Sequence, residues 1–230
     1  MAPRKTLMSW STGKDSAWAL HRLRQDPSVH LVGLLTTINQ AFGRVAMHGV
    51  RRELLEQQAA ATGLPLFIVP IPHPCPNQIY ERLMGEFVAQ QAALGVTAMA
   101  FGDLFLADIR RYREQALAGT GLAPLFPLWG SDTAALAREM LAAGVGGYIS
   151  CVDPRQLPAQ FAGRSFDAQL LAELPAGVDP CGENGEFHTF ACAGPMFSRP
   201  LALQRGRIVC RDGFVFCDLA PFRPAQPGEP

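Results

Sequence analysis

The chain has no net charge. Its 20 Lys and Arg residues balance 20 Asp and Glu residues across 230 positions, so no whole-molecule field draws it to nucleic acid or to an anionic membrane. No apolar stretch approaches the roughly 20 residues that cross a bilayer. After the charged start at Met1–Lys5, only Leu7 to Trp10 precede polar residues, too short a run for a secretory leader. A cytoplasmic location is the expectation. The six cysteines, Cys75, Cys151, Cys181, Cys192, Cys210 and Cys217, form no Cys-x-x-Cys pair, and no histidine stands at zinc-finger spacing from them. Buried free thiols are therefore expected rather than disulfides or a structural zinc. There is no internal repeat. The length suits one large α/β domain or such a domain with a small appendage.

What is there begins at Leu7-Met8-Ser9-Trp10-Ser11-Thr12-Gly13-Lys14-Asp15-Ser16. An apolar run stops at a small-residue turn, and a helical pattern starts at Ser16-Ala17-Trp18-Ala19-Leu20. A strand, a tight loop and a helix N-terminus aim free N–H groups and the helix dipole at one spot, which suits a phosphate chain. Lys14 adds a full positive charge. This is not a Walker A motif, because Asp15 rather than Ser or Thr follows the lysine. Ser-x-Gly-Lys-Asp-Ser instead resembles the PP-loop of the N-type ATP pyrophosphatases, which cut ATP between the α and β phosphates. Thr12 stands where that pattern usually has Gly. The competing reading is a polar turn with a surface lysine.

Strand-like runs at Thr6–Trp10, Val29–Thr37, Leu66–Ile71, Ala98–Phe101 and Gly147–Val152 alternate with helical patterns. Gly63 and Pro65 close one helix, and Asp132 can cap another over Thr133–Ala143. The alternation predicts an α/β fold, a doubly wound parallel sheet of Rossmann type covered on both faces. In such sheets ligands bind at the carboxyl ends of the strands, where Ser11–Ser16, Thr36, Thr37, Gly102 and Asp103 fall. After residue 152 the runs Leu201–Leu203, Arg207–Cys210 and Phe214–Cys217, separated at Gly206 and Asp212-Gly213, read as a small antiparallel meander. That meander is a candidate surface for pairing with a second copy in a homodimer. The expected division is an ATP-binding unit over 1–152, a smaller C-terminal α+β substrate region over 153–220, and a proline-rich disordered tail over 221–230.

A second dense segment is Pro180-Cys181-Gly182-Glu183-Asn184-Gly185-Glu186-Phe187-His188-Thr189-Phe190. Two glycines frame two carboxylates, and Glu186, His188 and Phe190 alternate as on one face of a strand. Glu183 and Glu186 can bind magnesium, orient an amine or act as bases; a polar turn entering a strand is the alternative. Taken with the PP-loop, Gly102-Asp103, Pro127-Leu128-Trp129-Gly130, Gly163-Arg164 and Gly194-Pro195-Met196-Phe197, this segment follows the order of one family. The chain resembles the diphthine–ammonia ligases, from about Lys5 to Leu219. Its Ala-, Pro- and Arg-rich composition suits a bacterial member. It is shorter than the eukaryotic form, and Phe187-His188-Thr189 departs from the usual Tyr or Phe, Glu, Thr.

The resemblance implies a HUP-like domain binding ATP and Mg2+, and a carboxylate activated as an acyl-adenylate that ammonia converts to an amide. The acceptor is then a small-molecule or modified-protein carboxylate, not necessarily diphthine, with no nucleic acid or membrane partner. Ser11, Thr12, Gly13, Lys14, Asp15 and Ser16 are expected to hold the phosphates, with Lys14 neutralising the leaving pyrophosphate. Asp15 either ligates Mg2+ or caps the helix. Thr36, Thr37 and Gly102 lie beside the nucleotide or serve only as strand ends. Asp103, Arg110 and Arg113 are candidate contacts to substrate or α-phosphate, although Arg110 can instead pair with Glu114. Trp129 walls the pocket or fills core. Glu183, Glu186, His188 and Thr189 are the candidates for holding acceptor or ammonia, and His48 is a weaker one. Two rival readings remain: a non-catalytic ATP-binding sensor, and a PP-loop tRNA-modifying enzyme. The cysteine spacing and the absence of a basic arm speak against the second.

Overall fold

The computed structural model describes residues 2–223. The first half of the chain runs β1 (Arg4–Ser9), α1 (Lys14–Arg24), β2 (Val29–Asn39), β3 (Arg44–Val45), α2 (Arg52–Thr62), β4 (Leu66–Ile71), α3 (Asn77–Ala93), β5 (Ala98–Ala100), α4 (Ala107–Leu117) and β6 (Ala123–Leu125). Five of these strands lie parallel in the order β4-β2-β1-β5-β6, and β3 pairs antiparallel with the end of β2, beyond the last residue that β1 covers. The order grows outward from β1 in both directions, so the expected doubly wound α/β sheet is present and β1 is its switch point.

Side-chain alternation explains why both faces are covered. Leu7, Leu35 and Met99 enter one core with Val88, Val96 and Leu117, while Met8, Leu34 and Ala100 enter the other with residues of α1 and α2. Period-2 strands with apolar residues in both registers bury both faces.

The second half adds α5 (Thr133–Ala142), β7 (Gly146–Val152), a 3-10 turn at Ala159–Phe161, α6 (Ala168–Glu173), β8 (Phe187–Ala193), β9 (Leu203–Arg211) and β10 (Phe214–Pro221). Asp132 caps α5 as its position predicts, with Oδ1 accepting the Ala135 N–H at 2.7 Å. The strands form a separate antiparallel sheet in the order β8-β7-β10-β9.

Two expectations are corrected here. Gly147–Val152, read as the fifth strand of the parallel sheet and placed within the 1–152 unit, is β7 and pairs antiparallel with β8 and β10. The fifth parallel strand is the three-residue β6, which contains Pro124 and is too short to show a period. Gly206 is not a turn: β9 runs through it, and a Cβ there would stand 2.8 Å from the Asp218 carbonyl oxygen. The glycine permits close approach where β10 is irregular between Cys217 and Leu219.

Of the tail expected over 221–230, Pro221 ends β10, and 224–230 lie outside the described residues. All six cysteines are free thiols. Among the described residues no helix is long and apolar enough to cross a membrane.

Candidate functional site

A cleft of about 450 Å3 opens at the carboxyl ends of β1, β2 and β5, closed on its far side by the segment entering β8. Its floor is the loop between β1 and α1. Thr12 takes φ 74°, the left-handed region, where a β-branched residue is strained and glycine is not. Its side chain is fully buried and Oγ1 has no hydrogen-bond partner among the described residues. Gly13 is required by space: a Cβ would meet His48 Cε1 at 3.0 Å and the Thr189 carbonyl oxygen at 3.3 Å. Ser11 Oγ accepts the Gly13 N–H and donates to Ser16 Oγ, which donates to the Gly13 carbonyl. The loop is thus braced by its own hydroxyls.

The second half of the chain holds the loop from above. Thr189 Oγ1 accepts the Lys14 N–H at 3.0 Å, and Ala191 N–H donates to the Thr12 carbonyl at 2.9 Å. The Lys14 ammonium is 2 % exposed, pairs with Asp15 Oδ2 at 2.9 Å and donates to the Cys181 carbonyl. Phe187 lies 5.4 Å below it as a cation–π partner. Burial works against its charge, but the neighbouring Asp15, Cys181 and Asp179 groups together outweigh that and hold the ammonium above its ordinary range.

Opposite the loop, Glu183 Oε1 accepts the Leu104 N–H at 2.7 Å. Burial pushes this carboxyl up to about 7, against the pull of its backbone hydrogen bonds and with the help of the Asp15 and Asp103 charges. Asp103 faces Arg113 at 3.6 Å, longer than a hydrogen bond. Asp103 Oδ2 and Arg113 Nε are both buried without a hydrogen-bond partner among the described residues, so the pair is placed to receive a polar ligand. His48 and His188 stack at 4.6 Å on the cleft wall. His48 Nδ1 lies 3.2 Å from the Thr189 carbonyl, which only accepts, so this nitrogen carries the proton. Burial lowers His48 to about 3 and His188 to about 4, and both rings are neutral at pH 7.

The resemblance implies Mg2+, which is usually held by one or two carboxylates together with phosphates. Asp15 fits one such ligand, because its Oδ1 is buried and has no partner among the described residues while Oδ2 holds Lys14. Among the described residues, no group of three or more His, Cys, Asp or Glu is assembled as a metal site.

Most of the residues singled out in the sequence meet in this cleft. Ser11, Lys14, Asp15, Ser16, Thr36, Thr37, Gly102, Asp103, Arg113, Glu183, His188 and Thr189 line it. Thr12 and Gly13 shape it through the backbone. Gly102 serves the packing of α1, since a Cβ there would meet the Asp15 carbonyl carbon and Ser16 N at 3.0 Å. Thr36 Oγ1 is spent on the Trp10 carbonyl at 2.7 Å.

Three candidates lie elsewhere. Arg110 pairs with Glu114 at 2.8 Å and stacks on Trp129 at 4.7 Å, and neither Arg110 nor Trp129 lines the cleft. Glu186 accepts the Asp179 N–H and the Asn184 side-chain amide, so it braces the 179–186 turn. The alternation of Glu186, His188 and Phe190 brings only His188 to the cleft; Phe190 is in the core.

Residues that the sequence does not single out also matter. Tyr80 and Met84 of α3 form one wall. Gln58 of α2 is fully buried; it accepts the Trp10 indole N–H at 3.0 Å and donates to the carbonyls of Thr12 and Ala191. The one sign of Gln58 in the sequence is a glutamine on the stripe that holds Leu54, Leu55 and Ala61.

Comparison with known proteins identifies the family. The family model for the diphthamide synthase N-terminal domain matches residues 4–123, and that for the diphthamide synthase C-terminal domain matches residues 132–220. The chain is 31 % identical over 161 residues to the diphthine–ammonia ligase of Homo sapiens, covering 64 % of this chain and 60 % of the human one. It is 33 % identical over 124 residues to the Danio rerio protein of that name, covering 51 % and 49 %. The Rattus norvegicus protein is 29 % identical over 235 residues, covering 93 % and 88 %. The match thus spans between half and three-fifths of the human and zebrafish relatives. With both domain models matched in chain order around one cleft, the chain belongs to the diphthamide synthase family.

Proposed function

We propose that the chain is an ATP-dependent amide ligase: it cleaves ATP to AMP and pyrophosphate, activates a carboxylate as an acyl-adenylate, and passes the acyl group to ammonia. An acceptor carboxylate oxygen attacks the α-phosphorus and the α–β phosphoanhydride bond breaks, with the electron pair leaving on pyrophosphate. Ammonia then attacks the acyl carbon, AMP leaves, and the nitrogen gives up a proton.

In this reading the loop backbone binds the β and γ phosphates, Ser11 and Ser16 turn their hydroxyl protons from Ser16 Oγ and the Gly13 carbonyl toward them, and the Lys14 ammonium offsets the charge that grows on pyrophosphate. Asp15 is the side chain that would hold Mg2+, which supplies charge neutralisation on the phosphates when bound. Glu183, held near neutrality in its pKa, accepts the proton from the attacking nitrogen. Arg113 and Asp103 orient the acceptor or the α-phosphate. The neutral His48–His188 stack keeps one wall uncharged.

The observation that carries the reading is the meeting of the two segments: Lys14 of the phosphate loop bonds the Cys181 carbonyl, two positions before Glu183. The relatives bearing the name diphthine–ammonia ligase support the reaction type. The acceptor here is a carboxylate on a small molecule or a modified protein, and it need not be diphthine.

The test is incubation with MgATP, ammonium and cell extract, with product nucleotides identified and Lys14→Ala as control. AMP and pyrophosphate that depend on extract and on Lys14 support the ligase. ADP as product overturns α–β cleavage. ATP binding without turnover in any extract moves the reading to a sensor.

A further inference from the structure

A second cavity, of about 410 Å3, lies between the β9–β10 hairpin and the 39–49 segment. This is within the size range of small-ligand sites. The hairpin presents one face to it: Arg207, Val209 and Arg211 from β9, and Phe214, Phe216 and Asp218 from β10, in period-2 register. Gly49, at φ 65°, lets the opposing segment approach, since a Cβ there would meet Phe216 Cδ1 at 2.6 Å.

The charges in this groove are unequal in freedom. Asp218 is shared by Arg44 at 2.9 Å and Arg51 at 2.6 Å, so its charge is already matched. Arg207 and Arg211 form no ion pair among the described residues. Among the described residues Asp212, at the hairpin tip, is the other carboxylate on the lining, and His73 is its one imidazole. The Arg211 guanidinium lies 4.7 Å over the Phe42 ring, which in turn packs edge-on against His73 at 4.9 Å. Stacking fixes the plane of a guanidinium and leaves its N–H fork for an anion. Val45, Ala46 and Met47 line both this groove and the phosphate cleft, so the two cavities share a wall.

We propose that this groove binds an anionic flank of the acceptor, a carboxylate or phosphate carried beside a flat apolar ring. Arg207 and Arg211 receive the charge, and Phe42 and Phe214 receive the ring. Assigning the occupant as the acceptor rests on the ligase reading; the chemistry of the groove does not. The same groove disfavours a quaternary ammonium group, because among the described residues its two unpaired guanidinium ions, Arg207 and Arg211, outnumber its one unpaired carboxylate, Asp212.

Met47 is 63 % exposed and lines both cavities, which makes its methyl group a reporter. The protein would be labelled with 13C-methyl methionine and the signal assigned with Met47→Leu. The probes are phenyl phosphate, phthalate and phenyltrimethylammonium. Either or both anions are expected to shift the Met47 methyl, and the cation is not. Arg207→Gln/Arg211→Gln, at exposed positions, is expected to raise the anion Kd at least about tenfold, as for two lost charge-assisted contacts. MgATP affinity by calorimetry stays unchanged in that variant.

No anion response, an equal response to the cation, or an unaltered Kd in the double variant overturns the proposal; the last result places the probe on the phosphate loop. Failure of the wild type to bind MgATP counts against the ligase reading alone, because the anion titrations still decide the groove.

Discussion

The ammonium of Lys14 donates to the main-chain carbonyl of Cys181, 167 positions along the chain. One hydrogen bond thereby joins the phosphate loop of the parallel-sheet half to the glutamate segment of the antiparallel half. Lys14→Met keeps the apolar stem and leaves the Asp15 carboxylate and the Cys181 carbonyl without their cation. A loss of about 2–3 kcal/mol in unfolding free energy is expected, with AMP formation reduced at least about 100-fold. Lys14→Met/Asp15→Asn should regain most of the stability and none of the turnover. Denaturant titration and nucleotide analysis read the two effects separately; full turnover in the single variant would remove the loop from the mechanism.

Glu183 sets the expected pH dependence of turnover. Burial holds its carboxyl at about 7, well above the ordinary 4.5. The carboxylate needed to take a proton therefore dominates only above pH 7, and kcat/KM should rise through that pH. Glu183→Gln should abolish this limb and cost about 100-fold or more in rate. The sign for stability is opposite. Between pH 4.5 and about 7 the folded chain binds a proton that the unfolded chain has released, so this group makes stability fall as pH rises. Glu183→Gln should flatten that slope. A rate profile with the same limb in wild type and variant would assign the proton to another group.

The parallel sheet was legible because its longer strands carry apolar residues in both registers, and because Gly63 and Asp132 sit at helix ends where their chemistry is favoured. The phosphate loop was legible because Ser11 to Ser16 are consecutive. What escaped depends on contacts between distant positions. An apolar run such as Gly146–Val152 looks the same in a parallel or an antiparallel sheet, and only its pairing with Phe187–Ala193 distinguishes them. Glu183 and Glu186 are equivalent in sequence, three positions apart in one acidic segment, yet one lines the cleft and the other braces a turn. Thr12 shows where the chain carries strain: a residue type that disfavours φ 74° occupies it because β8 and Gln58 hold the loop in place.

The stacked histidines predict acid sensitivity. His48 and His188 titrate at about 3 and about 4 in the folded chain, chiefly through burial, against 6.5 when free. Below 6.5 the unfolded chain takes up protons that the folded chain refuses. Stability from this source is complete above pH 6.5 and declines as pH falls toward 4, by up to about 1.4 kcal/mol per pH unit for each ring. Urea unfolding at pH 7 and pH 5 should show a larger drop in wild type than in His48→Gln/His188→Gln. Equal drops would mean that the rings are protonated without leaving the stack.

Gln58 makes the last prediction, because its side chain serves three partners at once. Its carbonyl accepts from the Trp10 indole, and its amide donates to the carbonyls of Thr12 and Ala191. Gln58→Leu is close in volume, so packing is largely kept while the Trp10 indole and the Ala191 carbonyl lose the Gln58 side chain and the Thr12 carbonyl is left with the Ala191 N–H. Leaving buried donors and acceptors unpaired costs about 1–3 kcal/mol each before relaxation. A total loss of roughly 3 kcal/mol is expected, short of the simple sum because neighbours adjust. The Thr12 carbonyl is the point where the phosphate loop is held, so MgATP affinity should also fall, by about tenfold, although Gln58 does not line the cleft. Gln58→Glu separates the two effects: its carboxylate still accepts from Trp10 but cannot donate to the two carbonyls. If that variant binds MgATP as tightly as wild type, the loop geometry is set by Ser11, Ser16 and Thr189 alone, and Gln58 is only a support for the core.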